Sequence, residues 1–327
     1  MSSQQQARPG REAMTGVATG RRRRRRGEQP VVPEPEFTSY YGKPVINGPV
    51  WKSPDIPGYL FLGGLAGASS LLAAGSQLRG DTRVATAAKT GALGAVALSV
   101  GALVHDLGRP GRFVNMLRVF KPTSPMNLGS WLLAGYGPLA GVSAASAVTG
   151  RLPKLGAAAT AGAALLGPAV ASYTAALVGD TAVPAWHDGH RELPYVFTGS
   201  AAVAASGLGL LVDGETASTP ARNLALFGTG LELGAARLME RRLGMVAEPY
   251  RSGRSGKLLK AGELLAVAGT AGGFLSRRSR LGRALSGAGL LVASALTKWG
   301  VFEAGIVSAD DPKYTVVPQR QRLREGS

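Results

Sequence analysis

The chain has 327 residues, a net charge of +17, 47 glycines and only 17% charged residues. In water such a composition would bury little apolar area per residue at a high cost in backbone entropy, which argues against a soluble globular domain. The basic residues form one run, Arg21 to Arg26, and short flanks beside apolar segments, a placement that suits membrane edges rather than a nucleic-acid-binding face. There is no cysteine, so disulfides, thiolate catalysis and protein-ligated iron–sulfur clusters are excluded, and three histidines leave little room for a haem or metal site.

Residues 1–56 are polar, rich in Arg, Pro and Gln, and lack apolar periodicity, so a disordered basic N-terminal tail is expected there. A twin-arginine export signal would need an apolar stretch directly after the arginines, whereas Gly27 to Pro35 is polar. Contact with anionic lipid headgroups and simple disorder are the two readings that stand.

Gly- and Ala-rich runs of about 20 residues then repeat along the chain, the length that crosses a ~30 Å hydrocarbon core. Eight spans are expected: Pro57 to Leu78, Val84 to Val104, Leu128 to Val148, Leu155 to Val178, Pro194 to Val212, Ala221 to Met239, Leu258 to Leu275 and Gly282 to Phe302. The sixth carries Glu232 and Arg237 and the seventh Lys260 and Glu263, so these two require inward-facing or snorkelling charges. Gly63 and Gly67 give the first span a GxxxG packing face. Trp51, Trp131, Trp186 and Trp299 fall near span ends, as interfacial anchors do. The expected fold is an all-α integral membrane protein, an eight-helix bundle over residues 57–303 with a polar C-terminal tail at 304–327. With an even number of spans both termini share a side. The Lys and Arg bias of the loops and termini makes that side cytoplasmic, in a multi-pass cell-membrane protein.

The connector between the second and third spans reads His105-Asp106-Leu107-Gly108-Arg109-Pro110, then Arg112-Phe113 and Lys121-Pro122-Thr123-Ser124-Pro125-Met126. With Gly129-Ser130-Trp131, Tyr59 to Gly67 (YLFLGGLAG), Val183 to Ser200 (VPAWHDGHRELPYVFTGS) and Asp311 to Arg320 (DPKYTVVPQR), it resembles the NrfD/PsrC family of polysulfide and nitrite reductase membrane subunits. The last two segments resemble variants associated with formate-dehydrogenase-like complexes more than the polysulfide reductase itself. The resemblance runs from about residue 45 to residue 320. It implies a membrane subunit without metal or haem that binds a quinone or quinol, menaquinone or ubiquinone. It also implies partners: a ferredoxin-type iron–sulfur subunit, which contacts a molybdopterin catalytic subunit. Electrons would pass between the quinone pool and those clusters. Membrane lipids are the other expected contact, and nucleic acid is not.

Asp106 and His105, at the end of the second span, are candidate proton carriers for quinol oxidation. The alternative for Asp106 is a salt bridge to Arg109 that fixes the turn before Pro110. Arg109 is a candidate for the quinone pocket, with partner docking or a plain membrane flank as its other readings. His187 heads a second ionisable cluster with Asp188, His190, Arg191 and Glu192, flanked by Trp186 and Tyr195; it suits an interface-depth pocket or a solvated loop. Glu232 is a third candidate proton carrier, since an intramembrane carboxylate suggests function, and the alternative for Glu232 and Glu263 is pairing with Arg222, Arg237 or Lys260. Tyr59 and Tyr173 are candidate hydrogen-bond donors to a quinone carbonyl. Two other classes fit less well: a secondary transporter, for which no internal repeat is evident, and a membrane anchor that binds no quinone.

Overall fold

The structure is a computed structural model that describes residues 45–106, 115–212, 219–276 and 278–325. The arginine run, and Arg109 and Arg112 of the second connector, lie outside the described residues. Eight long helices are present among those residues: α1 (Asp55–Leu78), α2 (Thr82–Asp106), α3 (Pro125–Thr149), α4 (Pro153–Gly179), α6 (Leu193–Val212), α7 (Thr219–Leu243), α9 (Gly253–Leu275) and α10 (Arg280–Asp310). Short helices α5 (Pro184–Asp188) and α8 (Glu248–Arg251) sit in connectors, and α11 (Lys313–Glu325) follows α10.

Seven of the eight long helices are apolar and long enough to cross a membrane. The exception is α7, the expected sixth span. At 25 residues it is as long as its neighbours, but Arg222, Glu232, Arg237 and Glu240 lower its hydropathy. The outward faces agree with a lipid surrounding: Leu165, Leu264 and Leu285 all point away from the protein, which is stable in lipid and a liability in water.

The helix starts follow local chemistry. Pro125 and Pro153 occupy first-turn positions, where the missing N–H costs nothing. Gly150 ends α3 in the left-handed conformation (φ 69°) that a residue with a side chain adopts only with strain. The long helices pack as two groups of four. In the first, α1 lies against α2 and α4, and α3 against α4; in the second, α6 lies against α7 and α10, and α9 against α10. Contacts of α6 with α1 and α4 join the groups.

Small residues set these distances. A Cβ on Gly67 would stand 2.3 Å from the Gly167 carbonyl oxygen, and one on Gly167 would stand 2.4 Å from that of Gly67. Of the GxxxG pair, Gly67 makes a backbone contact between α1 and α4, whereas Gly63 faces the side chains of Ser99 on α2 and Thr174 on α4. Gly199 and Gly228 make such a backbone contact between α6 and α7, with the Glu232 backbone nitrogen 2.5 Å from a Cβ at Gly199.

Candidate functional site

One end of the bundle gathers the start of α1, the end of α2, the α4–α6 connector, the end of α7 and the end of α10. Trp51 stacks on Trp186 there (5.5 Å), and Trp186 in turn meets Phe302 (5.8 Å). Trp186 is not an interfacial anchor. It is fully buried, donates its indole N–H to the Val301 carbonyl at 2.8 Å, and covers Gly305, where any Cβ would collide with its ring. The apolar connector PAW folds inward because Tyr250 donates to Ala185 O (2.9 Å) and Ser308 accepts from Ala185 N (3.2 Å).

The stretch from Met116 to Lys121 is a folded cap held mainly by Asn127, a residue without an evident chemical signal of its own in the sequence. Asn127 accepts from Lys121 N (2.6 Å) and donates to Met116 O and Val119 O (2.5 and 2.8 Å). Trp131, exposed at the surface, adds a bond to Val119 O and an edge contact with Phe120. The signal that could have found Asn127 is positional: its place just inside a proline-started helix, facing a loop short of hydrogen bonds.

Of the sequence-expected residues, His105 and Asp106 meet the start of α1. His105 Nδ1 lies 3.0 Å from Asp55 Oδ2, and Asp106 is within electrostatic reach of Asp55, Lys52 and His105. Asp55 stands one turn before Tyr59 on the same face of α1, about 6 Å along its axis. Tyr59 is buried and its side chain reaches that of Tyr173, which packs its hydroxyl end over Gly129 of α3. Ser99 of α2 donates to Tyr59 O at 3.2 Å. A polar line thus runs from the exposed His105 inward to two phenols. Trp299 of α10 closes on Gly58 beside it, 3.9 Å from where a Cβ would be.

His187 lies at the same end but is not part of that line. It is exposed, as is His190, whose Nδ1 lies 2.7 Å from the His187 carbonyl oxygen. The ordered part of that cluster is Glu192, buried and held by Arg242 through two bonds (2.6 and 2.5 Å), while Arg242 also reaches Asp188 O. The Arg242 guanidinium holds the Glu192 carboxyl below the usual carboxylate range, against the opposing effect of burial.

Glu232 sits apart from both. It lies mid-way along α7, roughly 16 Å from the end of that helix at ~1.5 Å per residue. Its Oε1 accepts from Thr297 Oγ1 at 2.7 Å, the Ser200 hydroxyl lies near the carboxyl, and its buried Oε2 has no hydrogen-bond partner within 3.5 Å among the described residues. Glu263 has the alternative fate: it is ion-paired to Arg237. Beside Glu232 is Lys298, not among the residues expected from the sequence, although a lysine inside the apolar Gly282 to Phe302 segment was its signal. Lys298 is fully buried, donates to Phe197 O at 3.1 Å and lies 3.6 Å from the Phe197 ring centre.

The family described as "Polysulphide reductase, NrfD" matches residues 45–227, more than half of the chain. The matched region includes Tyr59, His105, Asp106, Tyr173 and His187, and stops short of Glu232 and Lys298. No curated protein matches the chain.

Proposed function

This chain belongs to the polysulphide reductase NrfD family, whose members are membrane subunits of oxidoreductase complexes, and from that premise we propose that it binds quinol and passes electrons to a partner iron–sulfur subunit. The partner expected is of the ferredoxin type, itself joined to a molybdopterin enzyme, and the membrane is the cell membrane with both termini on its cytoplasmic side. The observation that carries the quinol reading is the line His105–Asp55, Asp106, Tyr59–Tyr173, which leads from one bundle end to two buried phenols.

The donor set fits a quinone headgroup. Phenol hydroxyls donate to carbonyl oxygens, and the carboxylates and imidazole at the rim accept protons. A bound quinol would supply two electrons for the partner and two protons for the rim. Tyr59, held through its backbone by Ser99, and Tyr173, held over Gly129, would orient the ring oxygens. Asp106, Asp55 and His105 would take protons and pass them to water, since the His105 side chain is 79% exposed. The buried Trp186, Phe302 and Phe197 around the line exclude water from the phenols.

The test is direct binding followed by turnover. Titration of the purified chain with a quinone should quench tryptophan fluorescence, because Trp299 and Trp51 flank the line. Tyr59→Phe should weaken that quenching, and Asp106→Asn should slow quinol-dependent reduction of the co-purified iron–sulfur subunit with quenching retained. Absence of quenching, or unchanged behaviour in both variants, would leave the chain as an inert anchor.

A further inference from the structure

The Glu232 and Lys298 pair lies outside the polar line and outside the region of family similarity, and its geometry is that of a site rather than a clasp. A structural ion pair closes on itself. Here Lys298 turns its ammonium group onto Phe197 O and the Phe197 ring, while Glu232, only 5% exposed, has no hydrogen-bond partner for Oε2 among the described residues. No ion pair joins the two among the described residues, although they are electrostatic neighbours.

Thr297 makes the carboxyl's protonation ambiguous in a useful way. Its single hydroxyl proton has two acceptors in reach, Ala293 O at 3.1 Å and Glu232 Oε1 at 2.7 Å. With Glu232 ionised, the hydroxyl donates to Oε1. With the proton placed on Oε1, the same short contact is kept by Glu232 donating while Thr297 donates to Ala293 O. Rotation of one hydroxyl therefore accommodates either state without moving a helix. The Ser200–Ser294 hydroxyl pair (2.9 Å), where either oxygen can donate, lies alongside with the same freedom.

We infer that Glu232 and Lys298 form a proton-exchange couple in the membrane interior, with Thr297 as its positioning residue. In one state Lys298 is an ammonium and Glu232 a carboxylate. With no direct contact between the two groups, transfer runs through an intervening hydroxyl or water: one Lys298 N–H bond breaks, one O–H bond forms on Glu232, and the relay ends unchanged, leaving both groups neutral. Uptake of a further proton from water makes the couple cationic, and release to water returns it. The groups facing the couple are the Thr297 hydroxyl of α10, the Ser200 hydroxyl of α6, and Glu263 of α9, which is ion-paired to Arg237 of α7. The couple borders the helix that carries the quinol line: Lys298 Cε is 4.0 Å from a Cβ at Gly64 of α1, about 8 Å along the axis from Tyr59.

Infrared difference spectroscopy of the purified full-length chain in lipid, taken across a pH series without quinone, tests this independently of quinol binding. The expected result is a protonated-carboxyl band that titrates, disappears in Glu232→Gln and shifts its midpoint in Lys298→Met. Thr297→Val keeps the shape of the site and should move the frequency of that band, which settles the assignment even if Glu232→Gln does not fold. A band unaffected by Thr297→Val and Lys298→Met, or no titrating carboxyl band in the wild-type chain, overturns the proposal.

Discussion

His105 and Asp55, fifty positions apart in sequence, meet at 3.0 Å where the end of α2 crosses the start of α1. The contact ties the identifying connector to the helix that carries Tyr59. It also gives Asp106 a carboxylate neighbour in Asp55. The rim is thus built from two helix termini, with Asp55 one turn from Tyr59 on α1.

Asp55 and Asp106 should therefore have different weights in turnover. Asp106→Asn removes a proton acceptor beside the connector and is expected to lower quinol-dependent electron transfer by ~10²-fold, within the usual range for a general base. Asp55→Asn loosens His105 but leaves Asp106, and should cost less, with the pH profile altered rather than the maximal rate. Steady-state reduction of the partner clusters across pH separates the two; equal losses would mean that the rim is only a structural junction.

Gly67 and Gly167 supply a stability test free of any functional assumption. Each would place a Cβ within 2.5 Å of the other's carbonyl oxygen, so Gly67→Ala must push α1 from α4 and should destabilise by about 1–3 kcal/mol, the usual cost of overpacking. Gly94 of α2 faces open space, and Gly94→Ala should be neutral or slightly stabilising through helix propensity. Thermal unfolding in detergent by circular dichroism distinguishes them; equal midpoints would contradict the α1–α4 contact.

The helices were legible because span length is a property of consecutive residues, and the Gly63/Gly67 face because small residues at that spacing have one common use in lipid. The site was legible only in pieces. Tyr59, Tyr173, His105 and Asp106 carried their own chemical signals, but their convergence depends on the Asp55 contact, which local pattern does not contain. Trp186 shows the opposite failure. An indole near a span end suggests an interface, whereas α5 folds it into the core against Gly305, a position whose lack of Cβ matters only once the partner is known. Glu263 and Glu232 looked alike in sequence, and neighbours on other helices, Arg237 and Lys298, made one a surface ion pair and the other a buried couple.

Glu192 and Arg242 should set the acid limit of the fold at this end. The Glu192 carboxyl is held below its usual range by Arg242, so its contribution is present above the unfolded-state value near ~4.3 and is lost as pH falls through the lower folded value. Wild-type stability should drop through that acid window, and Glu192→Gln should show a shallower drop from a lower starting point. Arg242→Met leaves a buried carboxylate without its donor and is expected to cost about 2–3 kcal/mol at neutral pH. Unfolding midpoints against pH check the sign; a Glu192→Gln protein as acid-sensitive as wild type would show that other carboxylates dominate.

Tyr59 and Tyr173 share one contact, but their surroundings differ, which predicts unequal phenotypes. Tyr173 packs its hydroxyl end on Gly129, so its ring is fixed by sterics and Tyr173→Phe should keep the geometry while removing one donor. Tyr59 is held through its backbone by Ser99 and lies one turn from Asp55. Tyr59→Phe breaks the continuity of the line between phenol and carboxylates. It should lower kcat as well as raise KM for quinol, whereas Tyr173→Phe should mainly raise KM, each by roughly 10-fold for a lost hydrogen bond worth ~1.4 kcal/mol. Steady-state kinetics at several quinol concentrations read the split. A complex carrying Tyr59→Phe with wild-type kcat would place the proton exit elsewhere than the Asp55 face of α1.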